Sequence, residues 1–314
     1  MTTVYQTFLS TAAKSPASAF LHVESVTAVN YGIESGDIAW ADAVKRVERL
    51  REAFAQAGYG HGHRVGLLLE NRPEFIFHWL ALNALGVCVV PISTDLRASE
   101  LKYLIGHSEI QLAVALPSSH AELAAAASAA GTTMSVSEPA AASFPRAATD
   151  RPRFDAPGLE TECALLYTSG TTGTPKGCRL SNAYYMNAGR WYAALGDRPG
   201  SLCSVRPGQE RIITPLPLNH VNAMAFSAMV VITAGGCLVQ LDRFHPRTWW
   251  RSVRDSGATI VHYLGVMPAM LLAAPPGASD RDHQVRWGFG AGVDRKNHAP
   301  FEERFGFPLI EGWR

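Results

Sequence analysis

Leu165-Leu-Tyr-Thr-Ser-Gly-Thr-Thr-Gly-Thr-Pro-Lys-Gly177 is the stretch on which the reading of this chain turns. It extends an apolar run, 163–167, that reads as a buried strand. Its glycines let successive backbone N–H groups turn toward one anion. Thr168, Ser169, Thr171 and Thr172 add hydroxyl donors, and Lys176 adds a compact positive charge suited to phosphate. The composition describes a polyphosphate cradle. It is not a Walker A loop, because five residues separate Gly170 from Lys176, and Gly177 stands where that pattern needs Ser or Thr. The plainer alternative is a solvated turn between strand and helix, and the density of phosphate donors argues against it.

Outward from this loop one grammar repeats: amphipathic helix, glycine turn, short apolar strand. Trp40 to Ala57 sets Val44, Val47, Leu50, Phe54 and Ala57 at helical spacing. Gly58 and Gly60 close it, and Arg64-Val-Gly-Leu-Leu-Leu69 reads as strand. Asn71-Arg-Pro-Glu74 opens a second helix with Pro73 in its first turn, running to Leu85 and followed by strand Val87 to Ile92. Ser99 to His107 and Leu112 to Leu116 repeat the pair, and Ala121 to Ala130 is an alanine-rich helix. Pro139 to Gly158 reads as a surface connector. Beyond the loop come helix 182–195, strand 210–214, helix 222–234, strand 237–241, helix 246–256, strand 258–262, helix 267–273 and strand 284–289. The alternation predicts an α/β fold of two packed, mainly parallel sheet lobes with flanking helices. The first lobe is expected over 1–158, including connector 139–158, and the second, with the loop, over 159–314.

The 314 residues suit two or more packing units. At 47% hydrophobic and 18% charged, the chain is not intrinsically disordered. Lys+Arg 28 against Asp+Glu 27 leaves a formal charge of +1, no electrostatic footprint for nucleic acid or an anionic membrane. The 5 cysteines form no CxxC pair and read as buried, reduced thiols of a cytoplasmic protein. The N-terminus lacks the basic start and apolar run of a secretory signal. Two uncharged apolar runs, 75–92 and 216–241, are broken by His78, Asn83 and Gly86, and by Asn219, His220, Asn222, Gly235 and Gly236. Neither offers the ~20 continuous apolar residues of a spanning helix.

Tyr167 to Gly177 resembles the signature loop of the acyl-adenylate-forming superfamily: acyl-CoA synthetases, nonribosomal-peptide adenylation domains and beetle luciferases. The resemblance runs along the chain. Asn71-Arg-Pro-Glu with Gly86 and Val90-Pro91-Ile92 is similar to the family's early helix–strand block. Pro215-Leu-Pro-Leu-Asn-His-Val221 resembles its substrate-loop motif. Gly288-Phe-Gly-Ala-Gly-Val293 resembles its adenine-side strand end, and Glu311-Gly-Trp313 the start of the next motif. The implied fold is the large N-terminal domain of an acyl-CoA synthetase. The implied reaction has two steps. A carboxylate attacks the α-phosphorus of ATP, giving acyl-AMP and pyrophosphate, and a thiol, usually that of CoA, then displaces AMP. Positioning and charge stabilisation dominate such chemistry, with Mg²⁺ bridging the phosphates. ATP, Mg²⁺ and CoA are the implied cofactors and co-substrate. The wording from Gly290 to Trp313 is most similar to ligases of small polar or short-chain acids, the carnitine/crotonobetaine group.

The resemblance assigns roles residue by residue. Thr168, Ser169, Gly170, Thr171, Thr172, Gly173 and Lys176 would hold the β- and γ-phosphates and the leaving pyrophosphate. Gly290, Ala291 and Gly292 would offer adenine a flat backbone wall, and Trp313 a ring to stack on. His220 would lie between the acyl pocket and the reacting carboxylate. Its expected work is positioning and gating, since a carboxylate is already ionised at neutral pH. Asn222, Met224, Tyr263, Gly265 and Val266 are expected to line the acyl tunnel, while Trp79, Trp249 and Trp250 pack the core. Plainer readings stand beside these: a solvated lysine next to Pro175, a surface or core histidine, an ordinary tight turn at Gly290–Gly292, a core tryptophan. One departure is Gly60-His-Gly-His-Arg-Val65, where His63 takes the family's acidic position, with a local structural effect expected.

The chain stops at Arg314, inside a motif that family members continue with Thr-Glu. That Glu is the family's Mg²⁺ ligand, so no metal ligand is expected within these residues. The expectation is an N-terminal fragment lacking the mobile C-terminal domain, with little or no activity alone and with sheet edge and apolar faces uncovered. A peptide-synthetase adenylation domain and a non-catalytic nucleotide-binding fragment are the alternatives.

Overall fold

Short runs such as Val-Cys-Val-Val-Pro at 87–91 carry almost no polar side chain, so they form strands buried on both faces with helices covering them. The computed structural model describes residues 2–148, 156–168, 175–197 and 201–313. In chain order its strands are β1 Ala19–Val23, β2 Gly36–Ala39, β3 Arg64–Leu68, β4 Cys88–Pro91, β5 Leu112–Ala115, β6 Ser135–Ser137, β7 Glu162–Thr168, β8 Lys176–Ser181, β9 Arg211–Thr214, β10 Cys237–Gln240, β11 Ile260–Leu264, β12 Trp287–Ala291 and β13 Leu309–Trp313. The α-helices are α1 Val4–Ala12, α2 Ser25–Tyr31, α3 Trp40–Gln56, α4 Pro73–Ala84, α5 Ala98–Ser108, α6 His120–Ala129, α7 Asn182–Ala193, α8 Ala228–Ala234, α9 Trp249–Asp255, α10 Val266–Ala273 and α11 Arg295–Phe305.

Packing sorts the chain into two compact units, and they interleave in sequence. One holds Met1–Ser10, Asp42–Asn187 and Leu218–Val221; the other holds Thr11–Ala41, Ala188–Pro217 and Asn222–Arg314. This differs from a cut at residue 158. The reason is pairing: β7 lies parallel to β4, so the strand before the glycine-rich loop joins the sheet of the early strands.

The first unit is built on a six-stranded sheet of order β6-β5-β3-β4-β7-β8, parallel except for the antiparallel pair β7–β8. Leu101, Leu104 and Ile105 of α5 and Leu123, Ala126 and Ala127 of α6 share one core with Leu68, Val90, Ile92 and Ala113. Each such large side chain contributes about 1.5–3 kcal/mol on burial. Helix α4 is buried from Phe75 through Asn83, as expected of a helix apolar on every side. Its one amide is satisfied within the unit. Asn83 Nδ2 donates to Asn182 Oδ1 at 2.9 Å, and Asn83 Oδ1 accepts from the Tyr5 N–H at 3.0 Å. The surface connector is partly pinned. Phe144 stacks on Phe54 at 3.9 Å and 2°, and the Ala147 N–H reaches the Ala57 carbonyl at 2.9 Å. His63 is buried and accepts the Gly60 N–H at 3.0 Å on Nδ1, a local role.

The second unit holds a seven-stranded sheet of order β13-β12-β11-β9-β10-β1-β2, parallel except for β1–β2. Its direction of winding reverses: β10 lies on one side of β9, while β11, β12 and β13 add on the other. Two polar centres hold it. Glu210, 1% exposed, takes both Arg206 (3.0 and 3.1 Å) and Arg286 (2.6 Å). His262, fully buried, sits between Tyr192 Oη at 2.7 Å and Ser227 Oγ at 2.6 Å. Trp249 is buried and Trp250 half-buried, stacked on Phe305 at 4.5 Å. The 222–234 segment is helical as expected but opens as a π-turn over Asn222–Ser227 before α8. The thiols are free, and Cys88, Cys163 and Cys237 are buried. Cys178, however, is exposed, because β8 is a sheet edge open to solvent. Among the described residues no helix is long and apolar enough to cross a membrane.

Candidate functional site

The glycine-rich loop leaves β7 and returns in β8, with Tyr167 paired to Gly177 and Thr168 to Lys176. The turn therefore links two antiparallel strands, and α7 begins only after β8. Among the described residues, Lys176 is the positive charge at the root of the loop. Thr168 and Lys176 are both exposed at the root of the hairpin. Ser169, Gly170, Thr171, Thr172 and Gly173 lie outside the described residues. The root is braced by Tyr167, whose hydroxyl meets His107 Nδ1 of α5 at 2.7 Å. Burial pushes the Tyr167 phenol up to about 12, so it remains a neutral hydrogen-bonding group at physiological pH.

His220 belongs to the same unit. The turn carrying it is held where the Leu218 N–H donates to Asn71 Oδ1 at 2.8 Å. The motif around Asn71 therefore supports the motif around His220. His220 is partly open to solvent. Protein atoms crowding the rest of the ring push its pKa below the ordinary value, against the opposing charge of Asp95. The ring is thus biased toward the neutral form, suited to orienting a carboxylate by hydrogen bonding.

In the second unit the candidates of β11, β12 and β13 lie at the carboxyl ends of parallel strands, apart in sequence from Asn222 and Met224 of the π-turn. Ligands of open α/β sheets bind there, beside the point where winding reverses. Tyr263 stands one residue before the end of β11, Gly265 and Val266 follow that strand, Gly290 and Ala291 end β12, and Trp313 pairs with Ala291 through backbone. Gly265 and Gly290 are glycines for a packing reason. A Cβ on Gly290 would lie 2.5 and 2.7 Å from Tyr263 ring carbons and closer still to its carbonyl oxygen. A Cβ on Gly265 would overlap the Gly292 carbonyl. Gly292 differs: it has φ +79°, is exposed, and nothing lies within 4 Å of the position a Cβ would take. That open face could receive a planar ring. Tyr263, expected along an acyl tunnel, is 2% exposed, and its hydroxyl donates to the Ile310 carbonyl at 3.0 Å and to Glu311 Oε1 at 3.2 Å. Its polar end is committed to the protein. Val266 is 61% exposed and Met224 fully buried.

Asn222 opens the π-turn, 7% exposed, and neither of its buried amide atoms has a hydrogen-bond partner. A buried amide without partners costs about 1–3 kcal/mol per group, and π-turns recur at functional sites.

Two features escaped the residue-level reading. One is the π-turn, which has no pattern separate from an ordinary apolar helix. The other is Glu311, whose carboxylate accepts the Gly292 N–H at 2.8 Å and the Val293 N–H at 3.4 Å. Its place in the Glu-Gly-Trp motif was a signal, but only strand register shows what it touches.

Comparison with known proteins follows this geometry. Residues 17–313 match the family model described as AMP-binding enzyme. A sulfoacetate–CoA ligase of Cupriavidus necator is 30% identical over 272 residues, covering 83% of this chain and 51% of that protein. A crotonobetaine/carnitine–CoA ligase of Shigella sonnei is 28% identical over 283 residues, covering 86% and 53%. The chain thus spans about half the length of these curated relatives. Among solved structures, the inhibitor-bound N-terminal domain of FACL13 from Mycobacterium tuberculosis has a TM-score of 0.84 at 21% identity, covering 100% of this chain and 76% of that one. ATP-bound MatB from Rhodopseudomonas palustris has a TM-score of 0.75 at 23% identity, covering 99% and 59%. At these identities the two structures show the fold.

Proposed function

This chain belongs to the AMP-binding enzyme family, and on that premise we propose that it forms the nucleotide-binding part of an ATP-dependent carboxylate–CoA ligase. Its substrates on this reading are a small polar carboxylic acid, ATP and CoA, with no nucleic-acid partner. The observation that carries the reading is the convergence of Gly290, Ala291, Gly292 and the backbone of Trp313 at the carboxyl ends of β12 and β13, with an open face at Gly292. Taken unit by unit, the second offers an open strand end at Gly292 suited to a base, and the first an exposed lysine at the root of a loop rich in phosphate donors. Lys176 with Thr168 and its loop neighbours would bind the polyphosphate, and His220 would orient the acid. Among the described residues no group of three or more His, Cys, Asp or Glu is placed to hold a metal ion. Mg²⁺ would arrive with the triphosphate and shield its charge. The unpaired thiols fit a reducing, cytoplasmic location.

Asn222 favours a polar acid. A hydrocarbon chain would leave its amide unsatisfied, whereas an acid bearing a charged or hydroxyl group could pair with it. The named relatives act on acids of this kind, sulfoacetate and crotonobetaine or carnitine.

The test is ATP–pyrophosphate exchange, run on this chain and on its gene's full product. The panel holds sulfoacetate, crotonobetaine, carnitine and straight-chain acids of equal length. Exchange with a polar acid is expected, with Asn222→Leu lowering it about tenfold or more while sparing the straight-chain acids. Exchange with no acid in either preparation refutes the ligase reading. AMP binding without exchange would restrict the protein to nucleotide binding.

A further inference from the structure

Ser227 closes the π-turn and stands at the start of α8. A serine in such a place commonly turns its hydroxyl back to a carbonyl of its own helix. Here it makes no cap bond and instead meets His262 Nδ1 at 2.6 Å. The other ring nitrogen, Nε2, meets Tyr192 Oη at 2.7 Å. A neutral imidazole offers one N–H donor and one acceptor nitrogen, so the two hydroxyls take one each. Burial lowers the His262 pKa to about 3, which keeps the ring in that form. The ring is also held in its plane. It stacks on Tyr192 at 5.5 Å and 30°, and tilts against Phe289 at 5.4 Å. Its backbone stands opposite Phe289 in the register of β11 on β12. The His262 end of the bond to Ser227 is therefore fixed by the sheet, and the π-turn is the end that could shift.

From this geometry we infer that His262 is a positioning residue: through Ser227 it holds Asn222–Ser227 in the π register and so keeps the Asn222 amide buried and available to a polar acid. The inference rests on the reading of Asn222 above. A π-turn is a helix carrying an inserted residue, and such turns are rare and concentrated at functional sites. Relaxation to α geometry would rotate the residues before Ser227 by about 100° around the helix axis. Asn222 is 7% exposed, and both of its amide atoms lack partners. No hydrogen bond of its own side chain resists that rotation, so its direction follows the backbone of the turn. The bond from Ser227 to a histidine anchored in β11 supplies the resistance. His262 thus acts on the acid through Ser227 and the turn, without touching it.

The experiment sets Ser227→Ala and His262→Leu beside the unaltered protein, in this chain and in its gene's full product. Two quantities are read. One is ATP–pyrophosphate exchange with whichever of sulfoacetate, crotonobetaine and carnitine supports it best. The other is amide hydrogen exchange over residues 222–227, followed by mass spectrometry. Ser227→Ala cuts the link while leaving Tyr192 and His262 in place. It is expected to raise the KM for the acid about tenfold, with kcat and the KM for ATP within about twofold of the unaltered protein. Hydrogen exchange over 222–227 should quicken about tenfold or more, with the β11 amides unmoved. His262→Leu should reproduce both effects; if it does not fold, Ser227→Ala decides. A merely structural residue would lower the melting temperature without moving the acid KM apart from kcat. An acid KM within about twofold of the unaltered protein, or unaltered hydrogen exchange over 222–227, overturns the inference. Absence of exchange with any acid, or an acid KM unmoved by Asn222→Leu, refutes the reading of the acid site instead. Hydrogen exchange then decides alone whether His262 holds the π-turn.

Discussion

Gly290→Ala puts the packing of the strand ends to a direct test. The new methyl group would lie 2.5 and 2.7 Å from two Tyr263 ring carbons and nearer to the Tyr263 carbonyl oxygen. The ring cannot swing away cheaply, because its hydroxyl is held by Ile310 and Glu311. The carbonyl cannot move either, because β11 and β12 pair in register with Tyr263 opposite Gly290. Overpacking a tight core costs about 1–3 kcal/mol, and a clash with fixed backbone belongs at the upper end, about 3 kcal/mol. For a unit of this size each kcal/mol shifts the midpoint by ~2–4 °C, so a drop of roughly 6–12 °C is expected. Gly277→Ala serves as control. Its Cβ would meet Asp280 Oδ1 at 3.7 Å and Ser279 Oγ at 3.9 Å, ordinary contacts, and should stay within ~0.5 kcal/mol. The assay is thermal unfolding followed by near-ultraviolet circular dichroism, with urea unfolding for the free energy. If Gly290→Ala melts with Gly277→Ala, the close packing of Tyr263 on Gly290 is wrong, and with it the explanation of that glycine.

The buried imidazole of His78 should give the first unit an acid-sensitive stability. Burial lowers its pKa from 6.5 to about 4, against a bond to the Pro139 carbonyl. The unfolded chain therefore binds the proton first as pH falls. The stabilising contribution is complete above 6.5, declines below it and is lost toward about 4, amounting to ~3 kcal/mol at most. His78→Leu should flatten that part of the urea-stability profile between pH 7 and 4; an unchanged slope would count against the burial argument. At the end of α10, Arg304 donates to the carbonyls of Leu272 (3.1 Å), Ala274 (2.7 Å) and Pro275 (2.9 Å) and to Asp280 (2.7 Å). A lysine cannot span these acceptors, so Arg304→Lys should cost about 2–3 kcal/mol in urea unfolding, and a loss under about 1 kcal/mol would refute the capping role.

Much of this architecture is legible because it rests on short-range patterns. Strands β3, β4, β5, β9 and β10 are apolar runs bounded by glycine or proline, and α3, α4 and α5 carry either a helical stripe or a fully apolar surface with proline in the first turn. Other elements have no such pattern. Strand β8, Lys-Gly-Cys-Arg-Leu-Ser, is largely exposed and half polar, and it exists because β7 offers it a hydrogen-bonding edge. Strands β1 and β2 owe their state to pairing with β10 and with each other. Strand propensity in such segments is a statement about neighbours, which sequence distance hides.

The candidate site divides along the same line. Composition and spacing alone made residues 165–177 a candidate phosphate loop and put small residues at the end of the strand at Gly290. The family resemblance added Asn222 and Tyr263 as candidates for an acyl tunnel. Only the tertiary structure decided that Tyr263 is committed to Ile310 and Glu311, that Gly290 is small to admit Tyr263, and that the Asn222 amide is buried without partners. The physical reason is locality. Backbone conformation and helix periodicity are settled over a few residues, whereas a hydrogen bond between Glu311 and Gly292 spans 19 positions and depends on the register of two neighbouring strands.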